Sequence, residues 1–236
     1  MEAEVKTKPF FVLYKPKDIV SGDFYYAVSH KHPGSKNELF YISAADCTGH
    51  GVPGALMSMM AISKLNESII EKNLLLPNEI LENVRKGIIT SLNPEGSDTI
   101  GQDGMDCVLC AFDFKNKLLQ FAAANNPLWH VREGKINEYS PDKMPVGKSP
   151  KDNDPFTLQK IELEKGDIVY IFTDGFADQF GGPKGKKFKY KQLQELVLDI
   201  CSQPMEDQKE ILNAEFEKWR GNLEQVDDIC VIGIKI

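Results

Sequence analysis

Apolar residues along this chain recur with two different periods. Short extended runs fill residues 10–14, 24–29 and 39–45, the last two joined by a polar loop that holds Pro33-Gly34-Ser35. Beyond Gly54 the spacing turns helical, with Ala55, Met59, Ile62 and Ile69 recurring along one face. Pro77 marks a fresh helix start, and Ile80, Val84, Ile88 and Leu92 keep helical spacing through it. Residues 93–104 are polar and contain glycine, which predicts a loop. Strand-like runs follow at 107–114, 118–124, 128–132 and 136–139, broken by the turn sequences Lys115-Asn116-Lys117 and Glu133-Gly134-Lys135. Residues 144–155 predict a second loop. Residues 156–163 and 168–172 then predict a hairpin turning at Glu164-Lys165-Gly166-Asp167. Leu193, Leu196, Val197 and Ile200 make one more helical face, and Leu212, Phe216 and Trp219 another behind Pro204. A last strand is predicted over 228–236.

Strands this closely spaced are antiparallel neighbours, because parallel ones need long crossovers. Antiparallel sheet with helices in pairs predicts an α+β layered sandwich. One domain is expected over residues 9–236, after a disordered tail or boundary at 1–8.

Composition narrows the function. An apolar content of 42% supplies a sizeable core. No stretch is apolar enough for a bilayer, and residues 1–6 lack the charged-then-apolar order of a signal peptide, so a cytoplasmic protein without membrane contact is expected. A net charge of -7 with no basic stripe speaks against nucleic-acid binding. Five irregularly spaced cysteines do not make a disulfide scaffold, and Cys107-x-x-Cys110 has neither a second pair nor a His pattern for zinc.

The candidate chemistry lies in aspartates at the ends of apolar runs. Asp23 follows Ser21-Gly22, Asp46 closes the run 39–45, Asp174 closes 168–173, and Asp227-Asp228 opens 229–234. Strands expose their ends, so such carboxylates can converge at the rim of a sheet. Packed together they repel, and a divalent cation removes that penalty; oxygen-only ligation suits Mg²⁺, Mn²⁺ or Ca²⁺. Turn punctuation explains any one of these aspartates equally well. The richest segment runs from Asp46 through Cys47-Thr48-Gly49-His50-Gly51-Val52-Pro53 to Gly54, from a strand end through a glycine-rich turn into a helix. Its glycines allow close backbone approach, and the Cys47 carbonyl could ligate a hard metal. A tight strand-to-helix connection without any ligand is the alternative.

The segments Ser21-Gly22-Asp23-Phe24-Tyr25, Ala45-Asp46-Cys47-Thr48-Gly49-His50-Gly51-Val52-Pro53-Gly54-Ala55, Phe172-Thr173-Asp174-Gly175-Phe176 and Asp227-Asp228-Ile229 occur in the order and spacing of one family. The chain resembles the metal-dependent protein serine/threonine phosphatases of type 2C, in their bacterial SpoIIE/RsbU-like branch. The resemblance implies a four-layer α-β-β-α sandwich, two antiparallel sheets flanked by helix pairs, with a site for two Mn²⁺ or Mg²⁺ ions. It implies that Asp46 bridges both ions with the Cys47 carbonyl on the second, that Asp174 and Asp227 hold the first, and that Asp23 binds directly or through water. Asp227 is preferred to Asp228 because it takes the first place of the family's Asp-Asp/Asn motif. The implied reaction is hydrolysis of a seryl or threonyl phosphoester by metal-activated water, without a phosphoenzyme. The implied substrate is a phosphorylated anti-sigma-factor antagonist in bacterial signalling, regulated by an upstream sensor segment of a longer chain and by homodimerisation. A catalytically silent, phosphatase-like binding module and a carboxylate-metal nuclease are the rival readings.

Several residues depart from the family pattern. Lys15 and Lys17 stand near the place where eukaryotic members carry a phosphate-gripping arginine. Ala123-Ala124-Asn125-Asn126-Pro127 replaces the Ala-Gly-His of many bacterial relatives, so substrate-binding residues stay unassigned. Asp106 is either a third-metal ligand or a solvated strand start. His50, beside the metal segment, is a leaving-group acid or a hydrogen-bonded loop residue. His30-Lys31-His32 reads as a polar loop, and His130 as a satisfied sheet residue. Gly181-Gly182-Pro183-Lys184-Gly185-Lys186-Lys187 lacks Walker spacing and is either a flap that attracts an acidic phosphoprotein or a solvated loop, with Asp178 helping to hold it.

Overall fold

The computed structural model describes residues 9–34, 38–92 and 103–236. The expected tail at 1–8 and most of the loop predicted over 93–104 lie outside the described residues. The chain runs β1 (Phe10–Lys15), β2 (Phe24–His30), β3 (Leu39–Cys47), α1 (Gly51–Asn66) with a π-helical turn at Glu67–Glu71, and α2 (Pro77–Leu92). Then come β4 (Gly104–Asp113), β5 (Leu118–Ala124), β6 (Leu128–Arg132), β7 (Lys135–Tyr139), β8 (Val146–Gly147), β9 (Gln159–Glu162) and β10 (Ile168–Phe172). The remainder is α3 (Gly175–Asp178), β11 (Phe180–Gly181), β12 (Lys186–Lys187), α4 (Tyr190–Ile200), α5 (Met205–Arg220) and β13 (Ile229–Lys235).

Two antiparallel sheets form the centre. One has the order β2-β3-β4-β5-β9, with β8 beside the start of β4; the other has the order β1-β13-β10-β6-β7. Side-chain alternation sorts the strands' residues into layers. In β3, Tyr41, Ala45 and Cys47 pack with Leu65, Ile80 and Val84 of α1 and α2, while Ile42 and Ala44 face the other sheet. In β13, Ile229 and Val231 pack with Val197 and Phe216 of α4 and α5, while Cys230 and Ile232 face inward. The result is the expected α-β-β-α stack. Trp129, Tyr170 and Phe172 are fully buried under α4 and α5, and each such side chain contributes about 1.5–3 kcal/mol of burial. No described helix is long and apolar enough to cross a membrane.

Two expectations need correction. The predicted hairpin of 156–163 with 168–172 does not form: β9 pairs with β5, whereas β10 pairs with β6 and β13 in the other sheet. Alternation specifies an inward face but not a partner, and here the intervening turn carries the chain between sheets. Asp167 holds that turn, accepting from the Glu164 amide at 2.8 Å and from Arg132 Nε at 2.8 Å. The first helix also begins earlier than expected, at Gly51, because Gly51 adopts φ 62° and turns the chain directly out of His50.

Candidate active site

All the candidate aspartates sit at one rim of the sandwich. Asp46, the last residue but one of β3, lies opposite Asp106 near the start of β4. Asp23 immediately precedes β2, whose Phe24 pairs with Ala45. On the second sheet, β10 ends and β13 begins at the matching edge, where Phe172 pairs with Val231. Asp174 follows β10 and immediately precedes α3, without a side-chain capping bond; Asp227 stands two residues before β13. A cavity of about 270 Å³ opens here, walled by Asp46, Cys47, Thr48, His50 and Asp106 from the first sheet and its turn, and by Asp227 from the second.

Glycines bring these loops into contact. A Cβ on Gly54 would sit 2.2 Å from the Gly49 carbonyl oxygen and 2.9 Å from Gly22 Cα. The turn carrying Asp46 and the loop carrying Asp23 therefore press backbone on backbone. A Cβ on Gly175 would lie 1.9 Å from the Asp228 carbonyl oxygen, so the Asp174 turn likewise abuts the start of β13. Thr48 ties the glycine turn to β4: its amide donates to Gly104 O at 3.0 Å, and Gly104 N donates back to its hydroxyl at 3.1 Å.

The carboxylates feel one another. Burial, then Asp23, Asp174, Asp227 and Asp106, push the Asp46 carboxyl up to about 9. Burial foremost, with Asp228 and Asp227, raises Asp23 to about 7, although Thr173 and Asp46 hydrogen bonds pull the other way. Burial, Asp227, Asp178 and Asp106 raise Asp174 to about 6, against the opposing pull of Lys187. Burial also raises Asp106, opposed by the Asn125 side chain and Lys143. Among the described residues no three Asp, Glu, His or Cys side chains form a group able to hold an ion unaided. The carboxylates thus share one field without closing a cage. Carboxylate and carbonyl oxygens are a donor set that fits a hard divalent ion such as Mg²⁺ or Mn²⁺, with water filling the remaining positions.

A family model described as Stage II sporulation protein E (SpoIIE) matches residues 36–236. The chain belongs to the SpoIIE family. It is a PP2C-type phosphatase domain with the mixed α+β fold of that group. Among solved structures, the SiaA-PP2C domain of Pseudomonas aeruginosa is 29% identical with a TM-score of 0.82, over 96% of this chain and 85% of that one. The phosphatase domain with a regulatory fragment of SpoIIE from Bacillus subtilis is 17% identical, TM-score 0.74, over 96% of this chain and 62% of that one. The RsbU and RsbW domains of a Mycobacterium tuberculosis protein are 18% identical, TM-score 0.73, over 96% of this chain and 59% of that one. No curated protein sequence matches the chain.

In this SpoIIE-family domain the two members of the Asp227-Asp228 pair do different things. Asp227 lines the cavity. Asp228 is buried and accepts from the Lys17 amide at 2.7 Å and the Gly22 amide at 2.9 Å, pinning the loop that leads into Asp23. Sequence reading missed the residues behind the cluster. Thr173 donates to Asp23 Oδ2 at 2.6 Å and accepts from the Cys230 amide at 2.9 Å. Asn125 donates to Asp106 Oδ1 at 2.8 Å. The available signal was parity: Thr173 is in phase with inward-facing Val169 and Ile171.

Most of the remaining candidates lie away from the cavity. His50 stands at the cavity's exposed edge with Nδ1 3.5 Å from Asp18 Oδ2. His32 is hydrogen-bonded to the Tyr41 hydroxyl, and His30 to Asn73. His130 lies 3.0 Å from Asp167. Lys15 is bound to Asn213 and Glu217, and the Lys17 side chain is exposed. Cys107 and Cys110 are free and buried, on opposite faces of β4. Asn126 is buried. Residues 181–187 fold into the β11–β12 hairpin, and Asp178 does hold it through Lys187 at 2.7 Å.

Proposed function

We propose that residues 9–236 form one catalytic domain, a Mn²⁺- or Mg²⁺-dependent protein serine/threonine phosphatase. The observation that carries this reading is the cavity walled jointly by Asp46, Cys47 and Asp227, with Asp23 and Asp174 within electrostatic reach of Asp46. Asp46, central to that field, would hold the ions together with Asp174, Asp227 and the Cys47 carbonyl, and Asp23 would bind directly or through water. Bound divalent ions supply Lewis acidity, lowering the pKa of water and offsetting charge on phosphoryl oxygens.

The protein's own part is positioning. Thr173 and Asp228 fix Asp23 and its loop, and Thr48 fixes the turn after Asp46. The rim is open enough for a phosphoseryl or phosphothreonyl side chain to enter from solvent. His50, exposed at the edge, stands where a leaving alkoxide could receive a proton. Membership of the SpoIIE family supports a phosphorylated anti-sigma-factor antagonist as substrate, cytoplasmic action, and control by an upstream sensor segment and homodimerisation.

The test is hydrolysis of para-nitrophenyl phosphate and of a phosphoserine peptide with Mn²⁺, Mg²⁺ or chelator. Metal-stimulated release of phosphate that vanishes in Asp46→Asn is the expected result. A folded wild-type protein with no turnover under any metal would instead identify a silent binding module.

A further inference from the structure

We propose that the β11–β12 hairpin is a docking surface for acidic segments of the phosphoprotein substrate, an inference that rests on the phosphatase reading. Lys184, Lys186 and Lys189 are exposed and, with Lys187 and Trp219, line a second cavity of about 280 Å³. Among the described residues, Lys184, Lys186 and Lys189 form no ion pair; Lys187 alone is paired, with Asp178. Such a cluster stands out on a chain of net charge -7. An acidic ligand is repelled by the net charge of the molecule and drawn to this face, which makes the contact directional.

The platform is built rather than loose. The Gly182 amide donates to Trp219 O at 2.8 Å, and Trp219 Nε1 donates to Gln179 O at 3.1 Å. A Cβ on Gly181 would fall 1.9 Å from the Trp219 carbonyl oxygen, so hairpin and helix lie in direct backbone contact. The surface is also bounded. An adjoining groove, which shares Pro183, Gln192 and Trp219 with the first, is lined further on by Glu195, Asp199 and Glu215 together with Lys218. An acidic segment is therefore favoured along the lysines and disfavoured where Glu195, Asp199 and Glu215 take over the lining.

The hairpin is tied to the site. Helix α3 starts beside Asp174 and ends at Asp178, and β11 begins at Phe180. Lys187 bonds Asp178 and exerts its field on Asp174. An extended chain covers about 3.3 Å per residue, so acidic residues some six positions from a phosphoserine at the rim can reach about 20 Å. Single exposed lysine–carboxylate pairs are weak, and the effect is carried by the field of the cluster, which salt screens.

The experiment compares two phosphoserine peptides, one flanked by glutamates and one by glutamines at the same positions, on the wild type and on K184E/K186E/K189E. The wild type is expected to favour the acidic peptide in kcat/KM by about tenfold at low ionic strength, with the preference fading as salt rises. The triple variant is expected to lose that preference while hydrolysing para-nitrophenyl phosphate at the wild-type rate, which also reports intact folding. Equal rates on both peptides in the wild type, or an unchanged preference in the variant, would overturn the proposal. Absence of all turnover would defeat the phosphatase reading alone. Binding of the acidic peptide with glutamate in place of phosphoserine, followed by Trp219 fluorescence, then decides the surface: wild-type binding lost in the variant supports it, and none in either refutes it.

Discussion

Thr173 donates its hydroxyl hydrogen to the Asp23 carboxylate across 2.6 Å, joining two residues 150 positions apart in sequence. The same oxygen accepts from the Cys230 amide, so its direction is fixed by the β10–β13 ladder. The buried Asp23 carboxylate is thereby held next to Asp46, with which it also shares a hydrogen bond. Thr173→Val keeps the shape and removes the hydroxyl. Partners that orient a metal-binding group cost about 10–100-fold when lost. The Mn²⁺ concentration for half-maximal turnover should rise by that order in Thr173→Val, and Thr173→Ser should restore it. An aryl phosphate assay titrated with Mn²⁺ reads both.

The carboxylate field makes a second prediction, for Asp46→Asn. Asp46, Asp23 and Asp174 are raised to about 9, 7 and 6, burial being the largest cause in each. Folded pKa values above the unfolded ones mean the native state holds more protons. Stability of the metal-free protein is therefore full below about pH 4 as far as these groups decide, and falls as pH rises through about 6 to 9. Asp46→Asn should flatten the upper end of that fall. It should also lose turnover by at least about a hundredfold. Mn²⁺ at about 100 times its dissociation constant should stabilise the wild type by about 2.7 kcal/mol and the variant by less. Thermal unfolding across pH, with and without Mn²⁺, reads each point.

Much of this site could be read in the sequence, for a physical reason. Strands bury their centres, so Asp46 after an apolar run has to emerge at a sheet edge, and glycines around it mark close backbone approach. The helix faces at Ile80–Val84–Ile88 and Leu212–Phe216 were equally legible, since one apolar stripe packs on one sheet. Pairing partners were not. Gln159–Glu162 alternates in the same way whichever sheet it joins, and it joined β5 rather than β10. The anchoring roles of Thr173 and Asp228 were not legible because their partners, Asp23 and Gly22, become neighbours only when the two sheets stack.

The crossing between sheets yields a prediction at acid pH. Burial raises the Asp167 carboxyl, but hydrogen bonds from Arg132 and the Glu164 amide and the nearby His130 outweigh it and bring it to about 2. A folded pKa below the unfolded one stabilises above about pH 4, and that contribution disappears as pH falls from about 4 to 2. Arg132→Ala removes the partner that binds both Asp167 oxygens, leaving a buried carboxylate. It should cost about 2–3 kcal/mol at neutral pH. The deficit should shrink toward pH 2, where the wild type has lost the same interaction. Urea unfolding at a series of pH values measures this.

Gly175→Ala isolates the role of close approach. Gly175 has an ordinary backbone conformation, so alanine meets no torsional strain there, only the Asp228 carbonyl oxygen 1.9 Å from its Cβ. Something must shift, and what shifts is the contact between the Asp174 turn and the strand start behind Asp227. Overpacking of this kind costs about 1–3 kcal/mol. Gly134 is the reverse case, with φ 71° and nothing within 4 Å of the place a Cβ would take. Gly134→Ala should cost about 1–2 kcal/mol through the backbone alone. Matched in stability, the two variants should separate in function: Gly134→Ala keeps Mn²⁺-dependent turnover, and Gly175→Ala loses most of it. Equal activity in the two would mean that the spacing between Asp174 and Asp227 does not matter to the chemistry.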